Sequence, residues 1–194
     1  MSRFIVSDTP LAGLKQVQRT PLGDSRGFLA RLFCAEELAA AGWAGPVAQI
    51  NHTHTARRGT VRGMHFQRAP HAETKLVSCL RGMVFDVAVD LRPQSPTFGR
   101  WHAVRLSADN ACALLIPPGF AHGFQALCDD VELLYCHSAP HAPAAEGGLD
   151  PQDAALAVAW PLPVSELSVR DAAHPALAAL PEARAHYALQ GVTA

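Results

Sequence analysis

The sequence predicts a mainly β chain, a sandwich or jelly roll, from three observations. The stretch Val84-Phe-Asp-Val-Ala-Val-Asp-Leu91 alternates with period two, which puts Phe85, Val87, Val89 and Leu91 on one face and Val84, Asp86, Ala88 and Asp90 on the other. Short β-rich segments recur from about residue 47 to 137, separated by turn material such as RPQSPTFG and SADN. Only two stretches, one on either side of this block, read as helix.

The first helix is expected at Cys34–Ala41 within CAEELAAAG, which is rich in helix formers, with Gly42 placed to cap its end. The strands follow. An apolar face and an acid-bearing face on residues 84–91 predict a core on one side of that strand and a polar cavity or solvent on the other. After Trp160 the chain turns Pro- and Ala-rich, and PALAALPEARAHYAL predicts a short final helix. No internal repeat or linker divides the chain, so one domain is expected over residues 1–194, with a C-terminal tail at 176–194.

Hydrophobic residues make up 49% and charged residues 17%, the balance of a folded soluble chain. The formal net charge of −1, without a long run of one sign, argues against nucleic acid or an anionic membrane as the main partner. The opening MSRFIVSDTPLAGL lacks the apolar core of a secretory signal. The longest uncharged run, Asn110 to Cys128, is interrupted by Pro117, Pro118, Gly119 and His122, which argues against a membrane helix. Five cysteines without a CxxC pair predict reduced thiols in a cytoplasmic protein.

Four places carry candidate chemistry. His65, in RGMHFQ, is expected to share a strand face with Gly63 and Gln67, and imidazole suits proton transfer near neutrality. Lys75 is one of only two lysines among sixteen cationic side chains, a compact point charge where this composition otherwise uses arginine. Tyr135, in VELLYCHS, offers a phenol able to donate a proton across a cavity. PPGFAHGF shapes a turn and then presents His122. Taken alone, each also fits an ordinary structural role: a satisfied core histidine, a surface lysine, a packed tyrosine.

Together, and in order, DSRGF (24–28), QIN (49–51), RGMHFQ (62–67), KLVSCLRG (75–82), FDVAVDLR (85–92), SPTFGRW (95–101), IPPGFAHGF (116–124), the Tyr135 strand, EGG (146–148), AWP (159–161) and LSVRDAAHP (167–175) resemble the dTDP-4-dehydrorhamnose 3,5-epimerase family, a metal-free branch of the cupins. The resemblance covers roughly residues 24–175. It implies a cupin-type double-stranded β-helix with a short helix near the N-terminus and a C-terminal extension. It implies a homodimer and, as substrate, a nucleotide-diphosphate 4-keto-6-deoxyhexose, epimerised without any cofactor. By resemblance His65 is the base, Tyr135 the opposing acid, Lys75 the cation beside the enolate, and Asp171 the carboxylate paired with the histidine. Arg26, Gln49, Asn51, Arg62, His122, Glu146 and Arg170 fall on positions that resemble substrate contacts; Asp86, by its place on the acid-bearing face of its strand, is expected to support a partner in the cavity.

A complete metal site is not readable: Gln67 stands where the metal-binding cupins carry the second histidine after His65, and the His52/His54 pair lies outside the matching position. Two departures from the family pattern stand out. Arg31 replaces a common glutamate, and Pro140 and His141 occupy the place of a second tyrosine. They leave open an epimerase acting at one carbon or on a different nucleotide sugar. A metal-dependent cupin enzyme and a non-catalytic sugar-nucleotide binding module are the other readings.

Overall fold

The computed structural model describes residues 2–190. Its strands are β1 (Phe4–Asp8), β2 (Lys15–Arg19), β3 (Leu22–Asp24), β4 (Gly27–Leu29), β5 (Gln49–Thr55), β6 (Val61–Gln67), β7 (Lys75–Arg81), β8 (Met83–Asp90), β9 (Trp101–Ser107), β10 (Cys112–Ile116), β11 (Phe120–Ala126), β12 (Val131–His137) and β13 (Glu146–Gly148). The helices are α1 (Ala35–Ala39), α2 (Val169–Ala172) and α3 (Pro181–Leu189). Two antiparallel sheets face each other, one in the order β1-β2-β10-β7-β12-β5 and the other β13-β6-β11-β8-β9, while β3 and β4 form a hairpin of their own.

Period-two alternation sorts the side chains into three apolar clusters. Between the sheets, Val77, Cys79, Leu114 and Leu133 of the first sheet meet Val84, Ala88, Phe120 and Phe124 of the second. Outside the second sheet, Val87, Val89, Met64 and Phe66 pack against Leu149, Leu156, Leu177 and Leu180 of the C-terminal segment, with Trp101 and Trp160 at the margin. Outside the first sheet, Leu76 and Leu115 pack under Leu38 and Trp43 at α1.

The expectation for residues 84–91 is therefore corrected on one point. From Asp86 onward neither face of β8 meets solvent, because the C-terminal extension covers the outer face while the inner face mixes core residues with the buried Asp86. The turn RPQSPTFG is tied back by Asp90, which accepts hydrogen bonds from Arg92, Ser95 and Thr97.

The early helix is shorter than Cys34–Ala41. Cys34 stands at its N-cap without a side-chain capping bond, and Gly42 follows with φ +107°, the left-handed conformation that ends helices. The final helix forms as α3, opened by Pro181. Of the expected tail 176–194, residues 191–194 lie outside the described residues. Among the described residues no helix is long and apolar enough to cross a membrane, and all five cysteines are free.

Candidate active site

The sheets part at one end around a cavity of about 850 Å³. Its lining includes every residue singled out above as catalytic or substrate-binding except Arg26. The first sheet contributes Lys75, Tyr135, Gln49 and Asn51, and the second contributes Arg62, His65, His122 and Glu146. Arg170 and Asp171 arrive on α2, a one-turn helix capped by the Ser168 hydroxyl, which accepts from the Asp171 N–H at 3.0 Å.

A bulge sets the geometry of β6. His65 pairs with His122 and Arg62 with Phe124, and the register shifts between them. Strict alternation would send Arg62 and His65 to opposite faces; the bulge turns both into the cavity. The expectation that Gly63 shares the histidine's face is thereby corrected. Gly63 instead sits at φ +124° against β11, where an added Cβ would meet Gly123 Cα at 2.5 Å.

Asp171 is buried, accepts from His65 Nε2 at 2.8 Å, and accepts the Gly63 N–H at 3.1 Å on its other oxygen. Burial alone would raise its pKa, but these bonds outweigh burial and hold the carboxyl below its ordinary range. The carboxylate fixes the tautomer: Nε2 carries the proton and Nδ1 is left as the basic nitrogen. Arg170 Nη2 also lies 3.0 Å from His65 Nε2. A guanidinium only donates, so beside a protonated Nε2 it acts as a neighbouring charge rather than a hydrogen-bond partner. The imidazole's pKa is lowered, first by burial and further by Arg170 and Lys75, against the opposing pull of Asp171.

Across the cavity, Tyr135 is buried and pairs in register with Asn51 and Val77. Burial, aided by the charge of Asp86, raises its phenol pKa, while Arg62 works the other way. Its ring meets His122 edge-on at 5.8 Å and stacks on His137 at 6.1 Å. Asp86 holds His122 Nε2 at 2.8 Å, so His122 enters the wall of the cavity already paired. Lys75 is buried rather than a surface position; its ammonium lies 3.2 Å from Glu73 and donates to the His65 carbonyl at 3.4 Å.

Glu73 and His137 escaped the sequence reading. Glu73 ties Lys75 to His137 Nδ1, 3.1 Å from its carboxylate, and despite burial these partners hold its pKa down. The signal was present: each stands two residues from a chosen residue, Glu73 just before β7 and Lys75, His137 on β12 with Tyr135.

The remaining assignments divide. Arg62 donates to the Thr55 hydroxyl and the His54 carbonyl, 3.0 and 3.1 Å away. Gln49 accepts the His141 N–H at 2.9 Å, and Glu146 meets Arg170 at 3.2 Å and His141 at 3.5 Å. Arg26 contradicts a contact within its own chain: it projects from the β3–β4 hairpin, paired with Asp24 at 2.6 Å and 87% exposed, away from the cavity lining. Arg31 likewise lies outside the lining and pairs with Glu37 of α1, whereas His141 stands in the cavity wall.

A jelly roll whose open end holds an oriented histidine, a facing phenol and a buried lysine defines a cupin-type carbohydrate epimerase, an isomerase. A family model described as dTDP-4-dehydrorhamnose 3,5-epimerase matches residues 8–179. The chain is 42% identical over 178 residues to the dTDP-4-dehydrorhamnose 3,5-epimerase of Salmonella typhimurium, covering 90% of this chain and 96% of that one. It is 38% identical over 162 residues to the dTDP-4-dehydrorhamnose 3-epimerase of Streptomyces niveus, covering 83% and 78%. The dTDP-6-deoxy-D-glucose-3,5-epimerase of Legionella pneumophila, solved with dTDP-4-keto-L-rhamnose, superposes with a TM-score of 0.86 at 37% identity, covering 91% and 94%. The chain belongs to the dTDP-4-dehydrorhamnose 3,5-epimerase family.

Proposed function

We propose that the chain epimerises a dTDP-linked 4-keto-6-deoxyhexose by cofactor-independent proton transfer next to the ketone. One observation carries this reading: His65 with its carboxylate on the second-sheet side, and Tyr135 with Lys75 on the first, line the same cavity. His65 Nδ1 takes the proton from the carbon beside the ketone, and the electron pair of that C–H bond moves onto the ketone oxygen. The Lys75 ammonium stabilises the enolate. Asp171 stabilises the imidazolium, and the Tyr135 O–H returns a proton to carbon from the opposite face. Arg62 and Arg170 suit the diphosphate, whose oxygens a guanidinium grips bidentately. Gln49, Asn51, His122 and Glu146 supply the polar wall for sugar and nucleoside.

Proton NMR in deuterated water with dTDP-4-keto-6-deoxyglucose tests it: deuterium enters at carbon 3, carbon 5 or both. Exchange at neither carbon across several 4-keto sugar nucleotides overturns it. His141, bonded to Gln49 and close to Glu146 where the family pattern has a tyrosine, favours a second reading in which one carbon alone exchanges.

The working unit in this reading is a cytoplasmic homodimer of the 1–194 domain, in which Arg26 serves the partner's cavity. The hairpin supports it, with Phe28 76% and Leu29 73% exposed beside Arg26, as does Ile50, 59% exposed on the edge strand β5. Mixing inactive His65→Ala protomers with Arg26→Ala protomers restores activity if Arg26 acts across the dimer. It restores none if Arg26 acts within its own chain.

A further inference from the structure

We propose that His65, Asp171 and His174 form a binding site for a divalent transition metal such as Zn²⁺, and that occupancy shuts off the base. His174 follows α2, and its ring lies over Gly148, where an added Cβ would come within 2.1 Å of it. The glycine makes room for the imidazole. Its Nε2 is buried without a hydrogen-bond partner, 3.7 Å from the Asp171 oxygen that already holds His65 Nε2 at 2.8 Å. All three donor atoms lie within 4.8 Å of one another. A tetrahedral zinc with ligands at about 2.0–2.1 Å needs donors roughly 3.3 Å apart, a spacing that these separations bracket. Two imidazoles and a carboxylate suit zinc.

The consequence follows from the tautomer. A metal on Nε2 displaces the proton there, and the neutral imidazole then carries its proton on Nδ1. That is the nitrogen assigned above to receive the substrate's proton, so the loaded protein has no base. This inhibitory part rests on the proposed function; binding of the metal does not. Arg170 opposes binding, with Nη2 at 3.0 Å from His65 Nε2 and Nε at 3.6 Å from Asp171. Its head group is exposed and already meets Glu146, so it has somewhere to go.

The test is titration of the chelator-treated full chain with ZnCl₂ by calorimetry, with Co²⁺ absorption reporting geometry. One equivalent is expected, with a tetrahedral Co²⁺ spectrum. His174→Asn should weaken binding about tenfold or more, since even outer ligands are worth 10–100-fold. Its circular dichroism should match wild type, and its chelator-treated exchange rate should lie within a few-fold. The double variant His52→Ala/His54→Ala, which removes the surface histidine pair, should bind as wild type does. Absent binding, binding indifferent to His174→Asn, or binding lost with His52 and His54 overturns the site. Zinc bound through His174 without slowing deuterium exchange overturns the inhibition. Zinc binding as expected, with no exchange even in chelator, counts against the proposed function and leaves the metal site standing.

Discussion

Two histidine–carboxylate pairs stand on neighbouring strands of the same sheet. His65 meets Asp171 and His122 meets Asp86, each at 2.8 Å, and the two histidines are cross-strand partners. The side chain of His65 is 27% exposed and that of His122 only 6%. Asp171 spends its second oxygen on a backbone N–H, whereas Asp86 keeps a buried oxygen without a partner. The same two functional groups thus do different work. A well-bonded carboxylate beside an accessible imidazole favours a charge change on that imidazole during turnover. A pair buried in the cavity wall braces that wall and positions neighbours, here the Tyr135 ring.

Substitutions separate the two roles, beginning with the largest effect. His65→Ala should lower kcat by about 10²–10⁴-fold, because the general base is lost. If His122→Ala costs more activity than His65→Ala, the roles are reversed. Lys75→Met should cost about 10²–10³-fold in kcat, the range for one oxyanion-stabilising group, measured under substrate saturation. Asp86→Ala leaves a buried imidazole unpartnered and should destabilise the fold by ~1–3 kcal/mol in denaturant titration. An Asp86→Ala protein as stable as wild type would remove the bracing role.

The smallest effect is in pH. Activity needs neutral His65, whose pKa is depressed below 6.5 by burial first. The acid limb of kcat/KM should therefore fall below pH 6.5, with rate lost as pH drops through the folded value. The stability sign agrees: neutral His65 contributes above the unfolded pKa, and that contribution fades as pH falls through the depressed one. Arg170→Ala removes a lowering charge and should move the limb to higher pH. A limb above pH 6.5 in wild type contradicts this environment.

The alternation of residues 84–91, the turn residues and Gly42 announced the strands and one helix end, because period two and positive φ are local properties. His65, Lys75 and Tyr135 could be singled out by residue type, and their roles by ordered resemblance. The rest is not local. The bulge at Gly63, which turns Arg62 inward, depends on how closely β6 approaches β11. The second core under β8 needs a segment more than sixty residues later in the chain, and Asp171 reaches His65 across 106 positions. The outward placement of Arg26 depends on a hairpin that pairs only with itself, which its short motif does not announce.

The central claim is a two-sided proton transfer, and deuterium NMR on two variants tests it most directly. Tyr135→Phe should wash the substrate's hydrogen into deuterated water, since His65 still removes it, while yielding no inverted product; His65→Asn should show no exchange at all. Exchange persisting in His65→Asn, or inversion persisting in Tyr135→Phe, would contradict the account.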